Sequence, residues 1–129
     1  MNDEILLIED NEQNRYLVTF LLEASGFTVV SASTGVHGIH LATKMVPRLV
    51  LLDIQLPLMD GYEVARELRK IAALAAVPIV AVTSYAMPGD KEKALEAGCN
   101  GYIEKPIDPG TFISQIKEYM AVSEKQEKA

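Results

Sequence analysis

The sequence predicts a single α/β domain of the (βα)5 kind, a doubly wound parallel five-stranded sheet with helices on both faces. Three observations predict it. Five short apolar, β-branched-rich runs recur along the chain: Glu4–Glu9, Thr28–Ser31, Leu49–Asp53, Pro78–Thr83 and Gly101–Glu104. Stretches with helical spacing separate them. Two of the runs, Ile5–Ile8 and Leu49–Leu52, are apolar without a break, as strands covered on both sides must be.

The elements follow in order. After the first run, Leu17, Phe20, Leu21 and Ala24 share one face of a helix that Gly26 ends, glycine being able to take positive φ. The second helical segment, Thr34–Met45, carries two glycines that lower its propensity. Val64, Leu68 and Ile71 line the third helix, whose remaining residues Tyr62, Arg66, Glu67, Arg69 and Lys70 read as an exposed face with i,i+3/i+4 charge pairs. The fourth segment, Met87–Ala97, is short and polar, ends at Gly98, and has Ala94, Leu95 and Ala97 as its apolar anchors. Asp108-Pro109 reads as an N-cap followed by proline at the first helical position, and Phe112, Ile113, Ile116 and Met120 form the apolar stripe beyond it. Residues 1–122 make the domain, and Ser123–Ala129 is a polar tail expected to fray. Periodicity does not fix the strand order. A flavodoxin-like order, 2-1-3-4-5, would place the first and third strands together at the switch point where such sheets bind ligands.

A chain of 129 residues is long enough for one substantial core, and 49% hydrophobic with 23% charged residues excludes global disorder. The net charge of −6 and the absence of any Lys/Arg run argue against direct binding to nucleic acid or an anionic membrane. No apolar run approaches the ~20 residues of a membrane span. The start Met1-Asn2-Asp3-Glu4 lacks the pattern of a signal peptide, and the single cysteine, Cys99, suits a reducing compartment. A cytoplasmic protein is expected.

The chemistry falls at the strand ends. The first strand ends in Glu9-Asp10, the third in Asp53, the fourth in Thr83-Ser84, and the fifth leads into Lys105-Pro106. One rim of the sheet therefore collects three carboxylates, a hydroxyl and an ammonium. Each carboxylate pair at ~4 Å and an effective dielectric near 20 costs roughly 4 kcal/mol. A hard divalent cation offsets that, and an all-oxygen donor set suits Mg²⁺, or Mn²⁺, rather than zinc. Beside such an ion Asp53 could attack a phosphoryl group. Lys105 and the metal would supply positive charge, and Thr83 and the Ser84 backbone N–H would donate to phosphoryl oxygens. Taken singly, each residue has an ordinary structural reading, and Asp10 could equally cap the first helix. Their joint placement on one rim favours the site. His37 and His40 lie in the second helical segment, away from the rim, and are given no role.

With these residues assembled, the chain resembles the response-regulator receiver domains of the CheY-like class. The matching stretches are LLIEDN at Leu6–Asn11, LVLLDIQLPLMDGYE at Leu49–Glu63, VAVTSYA at Val80–Ala86 and AGCNGYIEKPI at Ala97–Ile107. Within that family it most resembles single-domain regulators of the DivK type and the receivers of hybrid sensor kinases. The resemblance implies Asp53 as phosphoacceptor, Asp10 as direct metal ligand, Glu9 acting on the metal through water, and the Gln55 backbone carbonyl as a further ligand. It implies Thr83 and Lys105 at the phosphoryl group, Tyr102 as aromatic switch, and a cis Lys105-Pro106 bond. The donor would be a sensor histidine kinase or a histidine phosphotransfer protein. Output would pass to a protein partner at the face formed by the fourth helix, fifth strand and fifth helix, from a monomer or a phosphorylation-dependent dimer. Such a domain promotes its own phosphorylation and dephosphorylation without separate turnover. The competing reading, a phosphoaspartate hydrolase of the haloacid-dehalogenase type, would place a second Asp where Gln55 stands. A flavodoxin-like nucleotide binder would need a glycine-rich loop after the first strand, and none is present.

Overall fold

A computed structural model describes residues 3–84 and 88–128, with side chains described through residue 122. The elements run β1 (Glu4–Ile8), α1 (Glu12–Ala24), β2 (Thr28–Ala32), α2 (Gly35–Ala42), β3 (Leu49–Asp53), α3 (Gly61–Arg69), a 3-10 turn (Ala72–Leu74), β4 (Ile79–Thr83), α4 (Asp90–Glu96), β5 (Gly101–Glu104) and α5 (Phe112–Lys128). All strand pairs are parallel and the order is β2-β1-β3-β4-β5, the order expected of a flavodoxin-like sheet. Chain direction across the sheet reverses at β1, so β1 and β3 lie side by side, with Ile8 opposite Leu52. That adjacency brings the residues following Ile8 beside Asp53.

Alternate residues of the central strands serve two cores, because successive strand side chains point to opposite faces. Leu6, Ile8, Val50, Leu52, Ile79 and Ala81 pack with Val64 and Leu68 of α3 and Ala94 of α4. Ile5, Leu7, Leu49, Leu51, Val80 and Val82 pack with Val18 and Leu22 of α1 and Phe112, Ile116 and Met120 of α5. Each of these large side chains contributes about 1.5–3 kcal/mol by leaving water.

Gly26 (φ +95°) and Gly98 (φ +107°) end α1 and α4 as expected. In each, the glycine N–H and the next N–H return to carbonyls of the last turn: Gly26 to Glu23 and Phe27 to Leu22, Gly98 to Leu95 and Cys99 to Ala94. These are paired Schellman bonds. The two glycines of α2 have a packing reason. A Cβ on Gly38 would lie 2.4 Å from the Ile8 side chain, and one on Gly35 would lie 2.6 Å from Val64.

Three readings are corrected. In α1 the buried residues are Val18 and Leu22, whereas Phe20 is 59% exposed and Leu17 also reaches solvent. Five apolar residues between positions 17 and 22 make two overlapping stripes, and contact with β1 and β3 selects the second. Arg69 does not belong to a solvated face. Its guanidinium donates to the carbonyls of Gly98, Leu74 and Val77 and to Asn100 Oδ1. At α5, Asp108 Oδ1 accepts from Gly110 N–H in a turn, and the helix starts only at Phe112. The helix then runs to Lys128.

Candidate functional site

The β1–α1 junction is held tightly. Asn11, rather than Asp10, caps α1, its Oδ1 accepting from Asn14 N–H at 2.9 Å. Arg15 reaches back from the first turn to donate to the carbonyls of Glu9 (2.9 Å) and Asp10 (3.1 Å). The Asn11 N–H donates to Glu9 Oε2 at 3.2 Å. Glu9 is thereby turned in and buried, while Asp10 stays exposed.

On the neighbouring strand Asp53 is 3% exposed. Its Oδ1 accepts the Gln55 backbone N–H at 3.0 Å. Behind it, α3 begins at Gly61, whose N–H donates to the Ile54 carbonyl at 3.0 Å. A Cβ at Gly61 would lie 2.5 Å from Ile54 Cα and 2.7 Å from the Asp53 carbonyl oxygen. Only a residue without a side chain lets the helix start this close to the Asp53 backbone. Sequence reasoning passed over Gly61, although its position directly after the capping Asp60 was the available signal.

From β5, Lys105 projects over both acids, its Nζ 2.8 Å from Glu9 Oε1 and 3.4 Å from Asp53 Oδ2. The Lys105-Pro106 bond is cis, as the resemblance implied. One carboxylate oxygen each from Glu9, Asp10 and Asp53 falls within 4.8 Å of the other two. Burial, the hydrogen bond shared with Glu9 and the Glu9 charge push the Asp53 carboxyl up to about 7, against the opposing pull of Lys105 and the Gln55 N–H. Burial would raise Glu9 too. Its hydrogen bonds with Asp53, Lys105 and the Asn11 N–H outweigh that and hold it below the usual carboxylate range. Burial alone would lower Lys105, yet the two carboxylates keep it raised. Of the two coupled acids, Asp53 is pushed toward its protonated form and Glu9 is held toward its ionised form.

This crowding suits a bound metal ion. Two buried acids and one exposed acid face a common point with, among the described residues, one nearby ammonium, that of Lys105, and a divalent cation would supply the missing positive charge. The donor set is hard oxygen throughout, which suits Mg²⁺ or Mn²⁺.

Thr83, the last residue of β4, is 2% exposed, and Ser84 follows it at the surface. The Gln55 carboxamide joins them: Nε2 donates to Thr83 Oγ1 at 2.5 Å, and Oε1 accepts the Ser84 N–H at 3.1 Å. Tyr102, on β5, is half-buried against the α3 core. Its hydroxyl is buried without a hydrogen-bond partner among the described residues. Burial raises its pKa, as do the charges of Asp90 and Glu104. Of the segment expected to respond, α4 is seven residues long, begins at Gly89 without a side-chain cap, and buries Ala94 while Leu95 is 52% exposed. Tyr85, Ala86 and Met87, which the matched stretch and the expected segment include, lie outside the described residues. His37 and His40 are exposed on α2. Cys99 is buried, and burial pushes its thiol up to about 11, beyond ordinary reactivity.

The structure thus brings Glu9, Asp10, Asp53, Gln55, Thr83, Ser84 and Lys105 to one rim, with Tyr102 at its edge. Among the described residues no helix is long and apolar enough to cross a membrane. The family model for the response regulator receiver domain matches residues 5–117. The chain is 41% identical over 120 residues to the polar-differentiation response regulator DivK of Brucella ovis, covering 93% of this chain and 98% of that protein. Two solved structures are also similar. The receiver domain of a Pseudomonas aeruginosa PAO1 sensor histidine kinase, with a magnesium ion coordinated in its active site cleft, superposes with a TM-score of 0.86 at 32% identity, covering 94% of this chain and 99% of that one. A CheY-like receiver domain protein of Methanospirillum hungatei JF-1 superposes with a TM-score of 0.90 at 29% identity, covering 98% and 99%. Nothing in these likenesses favours a haloacid-dehalogenase-type hydrolase, and the chain belongs to the response regulator receiver domain family of two-component signalling.

Proposed function

We propose that Asp53 is the phosphoacceptor of this receiver domain and that it takes a phosphoryl group from a phosphohistidine donor, a sensor histidine kinase or a histidine phosphotransfer protein. The observation that carries the reading is the convergence of three carboxylate oxygens within 4.8 Å, with Lys105 Nζ against two of those acids. Asp10, Asp53 and the Gln55 backbone carbonyl would hold Mg²⁺, with Glu9 acting through water; the similar receiver domain with a magnesium ion coordinated in its active site cleft supports a metal here. When bound, the ion neutralises the acids and polarises the incoming phosphoryl group.

The chain's own residues do the rest. Asp53 presents an ionised carboxylate oxygen along the rim. Lys105 sits where it can balance charge on that oxygen and on the transferred group. Thr83 Oγ1 and the Ser84 N–H, at the end of the neighbouring strand, donate to phosphoryl oxygens. Phosphorylation adds charge and acceptor oxygens between β3 and β4, and the readout is a population shift in Thr83, Tyr102 and α4. A groove of about 660 Å³ between α4, β5 and α5, lined in part by Leu95, Tyr102, Glu104 and Tyr119, is the face offered to a downstream protein.

Incubation with acetyl phosphate and Mg²⁺ tests the proposal. The expected result is one acid-stable, base-labile acyl phosphate per chain, decaying slowly without turnover of phosphate esters. Sustained hydrolysis of phosphate esters would contradict it.

A further inference from the structure

The phosphoryl cradle already has an occupant. Thr83 Oγ1 and the Ser84 N–H, the two donors proposed for the phosphoryl group, are both engaged by the side chain of Gln55. The orientation of that carboxamide is fixed by chemistry. A backbone N–H can only donate, so the group facing Ser84 must be the amide oxygen, and the amide nitrogen then faces the Thr83 hydroxyl. Gln55 therefore mimics a phosphoryl oxygen toward Ser84 and holds the Thr83 oxygen as an acceptor. Its own backbone N–H meanwhile holds Asp53 Oδ1. One residue spans the acceptor and both groups meant to receive its modification.

We propose that the Gln55 side chain is an internal competitor for the phosphoryl cradle, a latch that holds Thr83 and Ser84 in the unmodified arrangement and must be displaced before they can reach a group on Asp53. The inference rests on the reading of Asp53 as phosphoacceptor. Gln55 is exposed, so water competes for its bonds and the latch biases the equilibrium instead of blocking it. Two neutral hydrogen bonds at such a side chain correspond to an equilibrium effect on the order of tenfold. A side chain that merely filled space would act through its volume. A latch acts through its donor and acceptor, and the two are separable because methionine has nearly the length of glutamine without either.

The test is beryllofluoride binding at saturating Mg²⁺, followed by ¹⁹F NMR titration of wild type, Gln55→Ala and Gln55→Met, with the Ser84 amide exchange rate of each metal-free protein as a second readout. The expected result is binding about tenfold tighter in both variants than in wild type, with faster Ser84 exchange in both. Equal affinity in all three, or a Gln55→Met protein that behaves as wild type, overturns the latch while leaving the receiver reading in place. If no protein forms the beryllofluoride complex, the acceptor reading falls and the latch with it.

Discussion

Replacing Asp53 by Asn removes the acid whose ionisation is most opposed by its surroundings, so metal-free protein should gain stability from the substitution at neutral pH and above. The Asp53 carboxyl, ordinarily near 3.8, is pushed up to about 7. At 1.36 kcal/mol for each pH decade, that separation is about 4 kcal/mol. The folded protein holds this proton more tightly than the unfolded chain. The contribution is therefore fully present below pH 3.8 and is lost as pH rises through about 7. Between pH 5.5 and pH 8 the expected loss is about 2 kcal/mol. Lys105 is raised and so adds a term lost only at strongly alkaline pH. Glu9 is lowered, and its term is lost only in acid, as pH falls through 4.5 and below. Neither masks the window. Urea denaturation in EDTA at the two pH values measures the effect. Wild type should fall relative to Asp53→Asn by about 2 kcal/mol from pH 5.5 to pH 8, and excess Mg²⁺ should restore wild type by binding only the folded form. A stability difference between the two proteins that does not change with pH would refute the claim that the acid cluster is electrostatically strained without a cation.

Further expectations concern the frame around the site. Arg69→Ala leaves the carbonyls of Gly98, Leu74 and Val77 without their shared donor and should cost about 3 kcal/mol by denaturant unfolding. Arg69→Lys should recover little of it, because an ammonium cannot reach four acceptors in that fork. Gly61→Ala puts a methyl 2.5 Å from Ile54 Cα. It should destabilise by roughly 1–3 kcal/mol and slow acetyl phosphate labelling by displacing Asp53, an effect read from initial rates. Beryllofluoride with Mg²⁺ should change hydrogen exchange in residues 88–106, where α4 buries little beyond Ala94. Unchanged exchange there would exclude α4 and Tyr102 as the switch.

Much of this was legible in the sequence because strands buried on both faces write themselves as unbroken apolar runs. Ile5–Ile8 and Leu49–Leu52 located β1 and β3, and the polar residues that follow such runs fall at one rim by topology alone. Glu9, Asp10, Asp53, Thr83 and Lys105 were found that way. What escaped depends on rotation and reach, which periodicity does not encode. The burial of Val18 and Leu22 over Leu17 and Phe20 was decided by the sheet beneath α1. Arg69 has the composition of a surface residue, yet it lies beside four acceptors, two, Leu74 and Val77, soon after its own helix and two, Gly98 and Asn100, distant in sequence. Arg15 bracing Glu9 and Asp10, and Asn11 capping α1, are backbone-directed bonds that any short polar run could make. The Gln55 carboxamide crossing from β3 to β4 was invisible for the same reason.

The most direct measurement is the rate of acyl phosphate formation at Asp53 as a function of Mg²⁺, with the labelled residue identified by borohydride trapping and peptide mass spectrometry. The account predicts labelling confined to Asp53, saturable in Mg²⁺, abolished by EDTA and absent from Asp53→Asn. Labelling that persists in EDTA, or that appears on an aspartate of the Asp53→Asn protein, would contradict it.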